Sequence, residues 1–349
     1  MIKTSHIKDQ NKVLITGSAG FIGYHLCLRL LADGWNVLGL DGMTDYYDIS
    51  LKKNRNSILE RNKNFKFFNT RLEKKHALEA VFKDFNPSIV VHLAAQAGVR
   101  YSISHPETYV DSNIIGTFNL MEVLKEQKCH HFLMASTSSV YGGNTKTPFR
   151  EKDASDFPMS FYSATKKSTE NCSHYYSHLF GIPTTCFRFF TVYGPWGRPD
   201  MALFKFTEKI LKEEPIDVFN HGKMSRDFTY IDDIVESIVR LFKVIPSIPA
   251  NRISQPVSDS ISPVAPWRTV NIGGSNPIEL EKFIGILEEK IGKKAKKRYL
   301  GMQQGDVENT QADISLLKDL TNFVPQTSVD KGIENFLNWY LEYNKLGMQ

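Results

Sequence analysis

The chain has 349 residues, of which 41% are hydrophobic and 23% charged, and its formal net charge at pH 7 is +5. This composition excludes a disordered chain, and the length suits a globular protein with two domains, or with one large domain and a smaller partner. The basic excess is small and spread out, so it favours a phosphorylated small molecule as ligand and argues against nucleic acid.

The N-terminal half alternates short apolar runs with longer amphipathic ones, which predicts strands separated by helices. Such strands are joined by right-handed crossovers and lie parallel. The pattern therefore predicts an α/β fold with a Rossmann-type, doubly wound parallel sheet. The predicted strands are 12–16, 36–41, 65–68, 88–95, 131–136 and 183–190, and the predicted helices are 21–34, a polar stretch ending near residue 61, 76–85, 109–127 and 162–181.

A glycine-rich segment, "TGSAGFIG" at 16–23, follows the first strand and opens the first helix. Gly17, Gly20 and Gly23 allow a tight turn, close approach of a pyrophosphate to the backbone, and packing of the helix on the sheet. The helix N-terminus then binds the pyrophosphate through its free N–H groups. Asp41 ends the second strand, where a carboxylate accepts hydrogen bonds from the adenosine ribose and repels a 2′-phosphate. The segment predicts a dinucleotide site that prefers NAD.

Four hydroxyl side chains, Ser136, Thr137, Ser138 and Ser139, stand together at the end of the strand at 131–136. A turn needs only one or two such residues. In doubly wound sheets ligands bind beyond the carboxyl ends of the strands. The surplus therefore predicts a ligand rich in hydrogen-bonding groups, such as a sugar.

Tyr162 and Lys166 lie four residues apart in "YSATK" and therefore share one face of a helix. A phenol with an ordinary pKa of about 10 is a poor base at neutral pH. A neighbouring ammonium and the positive charge of an oxidised nicotinamide would stabilise the phenolate and lower that pKa. The pair is therefore predicted to be catalytic.

Past residue 190 the alternation loosens, and helices near 201–213, 232–243, 278–291 and 329–345 stand between loops rich in glycine, proline and aromatic residues. We expect a NAD-binding domain over 1–190, partly completed by 225–245 and 268–275. A smaller C-terminal α/β domain over 191–349 would bind the substrate. The proline- and serine-rich segment 246–266 has no periodicity and predicts a flexible surface loop.

The four cysteines are scattered without metal or redox spacing, and no stretch reaches the roughly 20 apolar residues of a membrane helix. The polar start lacks the apolar centre of a signal peptide. We therefore expect a cytoplasmic protein that binds no metal and does not associate with membranes.

From residue 12 to about 340 the chain resembles the nucleotide-sugar epimerases, dehydratases and decarboxylases of the extended short-chain dehydrogenase/reductase family. This resemblance implies NAD as a permanently held cofactor and a UDP-sugar as substrate. It also implies a homodimer formed through two helices of the first domain. The segments that carry it are "TGSAGFIG", "HLAAQAGVRYSI", "STSSVYG", "YSATK", "RFFTVYGPWGRPDMALFKF", "HGKMSRDFTYIDDIV" and "NIGGSNPIEL".

The strand-end motif separates the activities of this family. Dehydratases typically carry Ser-Thr-Asp-Glu there and UDP-glucuronate decarboxylases Ser-Thr-Ser-Glu, whereas this chain has Ser138 and Ser139 at the two acidic positions. The resemblance therefore implies reversible C4 epimerisation of UDP-glucuronate to UDP-galacturonate through a 4-keto intermediate. The alternatives are a UDP-glucuronate decarboxylase, a UDP-glucose/galactose-type 4-epimerase and a non-catalytic NAD-sensing protein.

The resemblance also assigns roles to individual residues. Tyr162 takes the proton of the C4 hydroxyl while Thr137 holds that oxygen. One departure concerns adenine: Arg71 stands where the family often has a carboxylate, so that contact is expected to be altered. The implied NAD contacts are Gly17, Gly20, Phe21, Ile22, Gly23, Asp41, Leu93, Ala94, Ala95, Tyr162 and Lys166; the implied substrate contacts are Ser138, Ser139, Thr191 and Arg198 for the uronate, Arg100 and Arg226 for the diphosphate, and Asp306 for the nucleotide ribose.

Overall fold

The computed structural model describes residues 11–248 and 259–345, and its centre is a seven-stranded parallel sheet. The strand order β10-β6-β5-β4-β1-β2-β3 reverses direction between β1 and β4, which confirms the doubly wound fold. Two smaller sheets have the orders β11-β9-β7 and β12-β8. The strands are β1 (Lys12–Thr16), β2 (Asn36–Asp41), β3 (Phe65–Asn69), β4 (Ile89–His92), β5 (His131–Thr137), β6 (Thr184–Phe189), β7 (Thr191–Tyr193), β8 (Ile216–Val218), β9 (Ser225–Tyr230), β10 (Trp267–Ile272), β11 (Pro277–Glu279) and β12 (Lys297–Tyr299).

Helices cover both faces of the large sheet, so β1, β2, β4, β5 and β6 are buried along nearly their whole length rather than at alternate residues, whereas the edge strand β3 is largely exposed. Along β1, Val13 and Ile15 belong to one core and Leu14 to the other, and all three are fully buried. In the described part of the chain no helix is long and apolar enough to cross a membrane. The helices are α1 (Phe21–Ala32), α2 (Ile49–Leu59), α3 (Lys75–Phe85), α4 (Tyr101–Ser104), α5 (Pro106–Tyr109), α6 (Gly116–Gln127), α7 (Phe161–Phe180), α8 (Ala202–Leu211), α9 (Ile231–Leu241), α10 (Leu280–Ile291), α11 (Ser315–Thr321) and α12 (Val329–Lys345).

The helix α7, which carries the "YSATK" segment, has well-defined ends. At its start Ser160 and Ser163 form a reciprocal capping box, in which each side chain bonds the backbone N–H of the other. At its end Gly181 adopts the left-handed conformation that terminates helices. These caps fix where the first two turns of α7 lie against the sheet.

The large sheet recruits residues from the C-terminal half of the chain. β10 pairs with β6 over six residues, from Trp267 opposite Thr184 to Ile272 opposite Phe189. α9 also packs on the first half, since Glu236 on α9 accepts a hydrogen bond from Arg29 on α1 at 2.6 Å. The division into domains at residue 190 stays a prediction.

The segment 246–266, expected to be a flexible surface loop, is only partly described by the structure. Residues 249–258 lie outside the described part, but 259–266 pack against the protein. Ile261 and Ala265 are buried, and the carboxylate of Asp259 accepts two hydrogen bonds from Arg268, at 3.3 and 2.9 Å. Arg268 belongs to β10, so this ion pair ties the segment to the sheet edge.

Candidate functional site

A cavity of about 300 Å³ opens at the carboxyl ends of β1, β2, β4 and β5, where the strand order reverses. This is the position at which doubly wound sheets bind ligands. Its wall brings together the predicted cofactor residues, the predicted catalytic residues and one predicted substrate residue. These are Gly17, Gly20, Phe21, Ile22, Gly23, Asp41, Leu93, Ala94, Ala95, Thr137, Tyr162, Lys166 and Arg198.

The glycine turn after β1 has the geometry that a pyrophosphate requires. Gly17 has a φ of +75°, and a Cβ there would lie 2.8 Å from the backbone N of Ala94. A Cβ on Gly20 would lie 2.9 Å from the carbonyl O of Gly17. The first turn of α1 contains no acidic residue, so its free N–H groups face the cavity without a competing carboxylate. The turn therefore fits the pyrophosphate of a dinucleotide.

Asp41 is nearly buried beside this turn and is held by the backbone. One carboxylate oxygen accepts the N–H of Ala19 at 3.1 Å and the other accepts the N–H of Met43 at 2.8 Å. Each oxygen keeps a further lone pair, which suits the vicinal hydroxyls of a ribose. The carboxylate is thus fixed in the wall before any ligand binds.

Arg71, where the adenine contact is expected to be altered, lines the cavity. It pairs with Glu73, which also lines it, at 2.7 Å. This part of the cavity wall therefore carries an ion pair, and the sequence analysis named only one of its two members. The altered adenine contact stays a prediction.

A buried chain of hydrogen bonds shapes the segment after β4. The hydroxyl oxygen of Thr16 accepts the N–H groups of Leu93 and Ala94, at 3.2 and 3.1 Å. Its own proton points to Nδ1 of His92 at 2.7 Å, so Nε2 is the ring nitrogen that donates to Thr117 at 2.9 Å. Burial, together with the charge of Lys166, lowers the pKa of His92 to about 3. The neutral ring thus fixes the part of the cavity wall that Leu93 and Ala94 form.

Tyr162 and Lys166 occupy the first two turns of α7 and both face the cavity. Burial lowers the pKa of Lys166 to about 8, and the neighbouring Cys186 and the carboxylate of Glu170 oppose that shift. Burial raises the pKa of Tyr162, and a hydrogen bond with Thr137 and the positive charge of Arg198 oppose that rise. The structure thus adds Arg198 to the groups that act on the phenol.

The hydroxyl cluster at the end of β5 divides into two parts. Ser136 and Thr137 line the cavity, but the hydroxyl of Ser136 donates to the buried carboxylate of Glu170 at 2.6 Å. Thr137 accepts the N–H of Ser139 at 3.2 Å and so caps a 3₁₀ turn over Ser138–Tyr141. Ser138 and Ser139 lie in that turn, outside the cavity wall. Part of the excess of hydroxyl groups at the end of β5 therefore stabilises the fold rather than facing a ligand in the cavity.

Arg198 is held at the cavity by a partner that the sequence reasoning missed. Its guanidinium makes a two-pronged contact with Asp200, at 3.0 and 2.6 Å. Asp200 also accepts the hydroxyl of Tyr46 at 3.1 Å. Asp200 stands close to Arg198 in "GRPD", so this ion pair could have been predicted from the sequence. Tyr46 is distant in the chain, so its contact with Asp200 could not.

The remaining predicted substrate residues form a second group outside the cavity wall. Arg100 pairs with Asp306 at 3.2 Å, and Arg226 donates to the carbonyls of Val307 and Glu308 at 2.6 and 2.9 Å. Burial lowers the pKa of Arg226, and Asp306 opposes that shift. Thr191 opens β7 between the cavity residues Phe190 and Val192.

Asn113 is a further site residue that the sequence reasoning missed. It lies in a π-helical turn, Val110–Ile115, that interrupts the helix predicted over 109–127. Its amide exchanges hydrogen bonds with the backbone of Gln96, at 2.8 and 3.0 Å, and donates to Thr165 at 3.1 Å. Asn113 therefore joins the cofactor wall to α7. Nothing in the sequence marks Asn113, because its role depends on Gln96 and Thr165, which are distant in the chain.

Comparison with known proteins adds an independent result. The model of the NAD dependent epimerase/dehydratase family matches residues 13–253. A probable UDP-glucuronate 4-epimerase of Rhizobium meliloti (strain 1021) is 52% identical over 330 residues, which cover 94% of this chain and 96% of the relative. A UDP-glucuronate 4-epimerase of Thermodesulfobacterium geofontis (strain OPF15) is 43% identical over 330 residues, 94% of this chain and 96% of the relative.

A solved structure resembles the whole chain. The crystal structure of UDP-glucuronic acid 4-epimerase from Bacillus cereus, in complex with UDP-glucuronic acid and NAD, superimposes with a TM-score of 0.83. The two chains are 34% identical, and the match covers 95% of this chain and 99% of the other.

Proposed function

Since the chain belongs to the NAD dependent epimerase/dehydratase family, we propose that it catalyses the reversible C4 epimerisation of UDP-glucuronate to UDP-galacturonate. The observation that carries this proposal is that the glycine turn lines the same cavity as Tyr162, Lys166 and Thr137. Relatives named for this activity match nearly the full length of the chain.

Tyr162 is the acid and base of the proposed reaction. The hydroxyl of Thr137 orients the C4 oxygen, and the Tyr162 phenolate accepts the proton of the C4 hydroxyl. Bound NAD supplies a hydrogen acceptor for C4 that can return the hydrogen to the other face of the ring. The positive charge of Arg198 lowers the pKa of the phenol and so favours the phenolate. In our proposal the ammonium of Lys166 adds to this effect.

The 4-keto uronate is a β-keto acid, and it loses CO₂ when its carboxylate bond stands perpendicular to the ketone plane. In our proposal Arg198 holds the carboxylate away from that orientation, with Ser138, Ser139 and Thr191 as neutral hydroxyl partners. Asp200 supports this role because its two-pronged contact fixes the guanidinium plane.

The outer group of charged residues suits the nucleotide. Arg100 and Arg226 would bind the diphosphate, and Asp306 would accept a hydrogen bond from the ribose of UDP. In this arrangement the Arg100–Asp306 pair opens or widens to admit the ligand, since both members contribute to its binding.

Product analysis tests the function. We expect the purified protein with UDP-glucuronate, with and without added NAD, to give UDP-galacturonate as the new sugar signal in NMR. A UDP-pentose with CO₂ release would identify a decarboxylase, and an unchanged C4 configuration would contradict the proposal. UDP-glucose in parallel is the control for a UDP-glucose/galactose-type enzyme.

We also propose that two copies associate through α6 and α7. These helices pack side by side, with the Tyr176 hydroxyl donating to Glu122 at 2.6 Å. Their outer face exposes Phe118, Tyr175 and Leu179 by 49%, 53% and 55%, an apolar surface that a second copy would cover. In a twofold dimer the same patch of both copies meets, so each of these side chains would be covered by the partner's copy of this face.

Sedimentation analysis measures this association. The protein should sediment at twice its 39.8 kDa chain mass. Phe118→Glu places a charge on the shared face and should shift the protein toward the monomer, whereas Tyr299→Glu, at an exposed tyrosine of β12, should not. A monomeric parent protein would rule out the dimer.

A further inference from the structure

Three consecutive backbone carbonyls, those of Pro195, Trp196 and Gly197, accept hydrogen bonds from side chains of the first two helices. Nε2 of His25, on α1, lies 2.9 Å from the carbonyl O of Pro195. One guanidinium nitrogen of Arg55, on α2, donates to Trp196 at 2.6 Å and to Gly197 at 3.2 Å. Burial lowers the pKa of His25 to about 4, so its ring is neutral and Nε2–H is the donor.

The same Arg55 also grips the glycine turn of the cofactor site. Its other terminal nitrogen donates to the carbonyl of Ala19 at 2.9 Å and to the hydroxyl of Tyr47 at 2.9 Å. The N–H of Ala19 is in turn the donor to Asp41. Arg55 therefore joins the turn that would bind the pyrophosphate to the loop at 195–197.

Arg55 is fully buried, and its four hydrogen-bond partners are all uncharged. Its Nε has no hydrogen-bond partner among the described residues. Burying a cation with neutral partners is unfavourable compared with leaving it in water. The buried guanidinium of Arg55 is therefore better explained by the backbone groups that its hydrogen bonds hold in place than by a contribution to stability.

The loop that Arg55 holds leads directly into Arg198. Trp196 has a φ of +57°, which is uncommon for a residue with a side chain, and a Cβ on Gly197 would lie 2.9 Å from the carbonyl O of Gly194. The turn is therefore tight, and a shift of its carbonyls moves the next residue. That residue, Arg198, lines the cavity.

We propose that Arg55 is a positioning residue that sets Arg198 at a fixed distance from the glycine turn and so keeps the 4-keto uronate from losing CO₂. The inference rests on the proposed function. Arg55 contacts neither substrate nor cofactor and acts through the carbonyls of Trp196 and Gly197. His25 assists through the carbonyl of Pro195.

The side reaction that Arg55 suppresses is decarboxylation of the oxidised sugar. The C5–C6 bond breaks, its electron pair passes into the C4 carbonyl as an enolate, and C6 leaves as CO₂. A proton from water then adds to C5 and restores the C4 ketone. When the hydride taken from C4 and the proton taken from its hydroxyl return, the product is a UDP-pentose, so water is the only further reactant.

The Arg55→Lys variant tests the proposal through its product ratio, the amount of UDP-pentose relative to UDP-galacturonate. Lysine keeps the positive charge but lacks the planar group that bonds the carbonyls of Ala19, Trp196 and Gly197. We expect turnover to fall by about 10²-fold, the loss that a misplacement of about 1 Å can cause. The share of UDP-pentose among the products should rise severalfold over the parent enzyme. NMR of the sugar products measures both quantities in one reaction.

Two further variants keep the test decisive. Arg61→Lys, at an exposed arginine just past α2, is the matched control and should leave turnover and product ratio unchanged. If Arg55→Lys does not fold, His25→Phe, which keeps a ring but loses the donor to Pro195, should raise the pentose share.

The inference is overturned if the variant that folds loses turnover or thermal stability while its product ratio stays at the parent's value, because that is the result of a structural role alone. It is also overturned if neither quantity changes. A parent enzyme that makes no UDP-galacturonate contradicts the proposed function instead, so the two failures are distinct.

Discussion

Tyr162→Phe is expected to lower the turnover of UDP-glucuronate by about 10³-fold, within the range by which a positioned acid or base accelerates a reaction. The hydroxyl is the only group removed, and the ring stays to fill the same space. Lys166 and Arg198 keep their charges but have no phenolate to stabilise. Initial rates of UDP-galacturonate formation measure the effect, and absorbance of the released cofactor shows whether NAD is still bound.

The matched control for this variant lies on the same helix. Tyr175 is 53% exposed on the outer face of α7, away from the cavity, so Tyr175→Phe should retain the parent's turnover. If the Tyr162 variant turns over within tenfold of the parent, another group performs the proton transfer and the proposed mechanism is wrong.

Glu170→Gln is expected to lower the free energy of unfolding by about 3–5 kcal/mol, the usual effect of removing one partner of a buried ion pair. Glu170 is fully buried, and its two carboxylate oxygens accept bonds from Arg188 at 2.9 and 2.8 Å. Without the carboxylate the guanidinium of Arg188 stays buried beside the ring of Tyr141 with its charge uncompensated. Denaturant unfolding of the two proteins measures the difference.

The pH dependence of this difference has a definite sign. Burial alone would raise the pKa of Glu170, but the charge and hydrogen bonds of Arg188 and the hydrogen bond from Ser136 hold it below the usual value. The stabilisation is therefore present above the unfolded pKa of about 4.3 and is lost as the pH falls through the lower folded pKa. The difference in the free energy of unfolding between the parent and Glu170→Gln should therefore become smaller as the pH falls.

Two controls isolate the buried pair. Glu208→Gln makes the same chemical change in an exposed pair with Lys212 and should have no measurable effect. Combining Glu170→Gln with Arg188→Met removes the stranded charge and should recover part of the lost stability. A Glu170→Gln variant as stable as the parent would show that the buried ion pair does not stabilise the fold.

The sequence predicts the large sheet well because its strands are buried on both faces. The runs at 12–16 and 36–41 contain few polar residues and match β1 and β2 residue for residue. The helix predicted over 162–181 agrees with α7 within one residue at each end, since its serine cap and terminal glycine act locally. Local signals of this kind need no knowledge of the rest of the fold.

The sequence fails where a side chain takes its partner from a distant segment. The π-helical turn at Asn113 depends on Gln96 and Thr165, and no periodicity announces it. Ser136 reads as a sugar ligand until Glu170 is placed beside it. The segment 259–266 looks like a loop by composition, yet it packs because Asp259 pairs with Arg268.

The same distinction applies to the candidate site. Tyr162 and Lys166 are predictable as neighbours because one helix carries both, and the glycine turn because a strand and a helix flank it. Their catalytic roles stay predictions until the variants are measured. Arg55 was not predictable, since its effect on the cavity depends on two loops that are 177 residues apart, at Ala19 and Trp196.

The edge strand β10 limits how this architecture can be recombined. It comes from the C-terminal half, yet it pairs with the outer edge of β6 over six residues. A hybrid protein that joined residues 1–190 of this chain to the C-terminal half of a relative would therefore have the relative's β10 at the edge of its large sheet. Such a chimaera needs compatible hydrogen-bond register and side-chain shape along that seam, as well as a suitable sugar pocket. New substrate preferences are therefore reached more readily by changing loops than by exchanging halves.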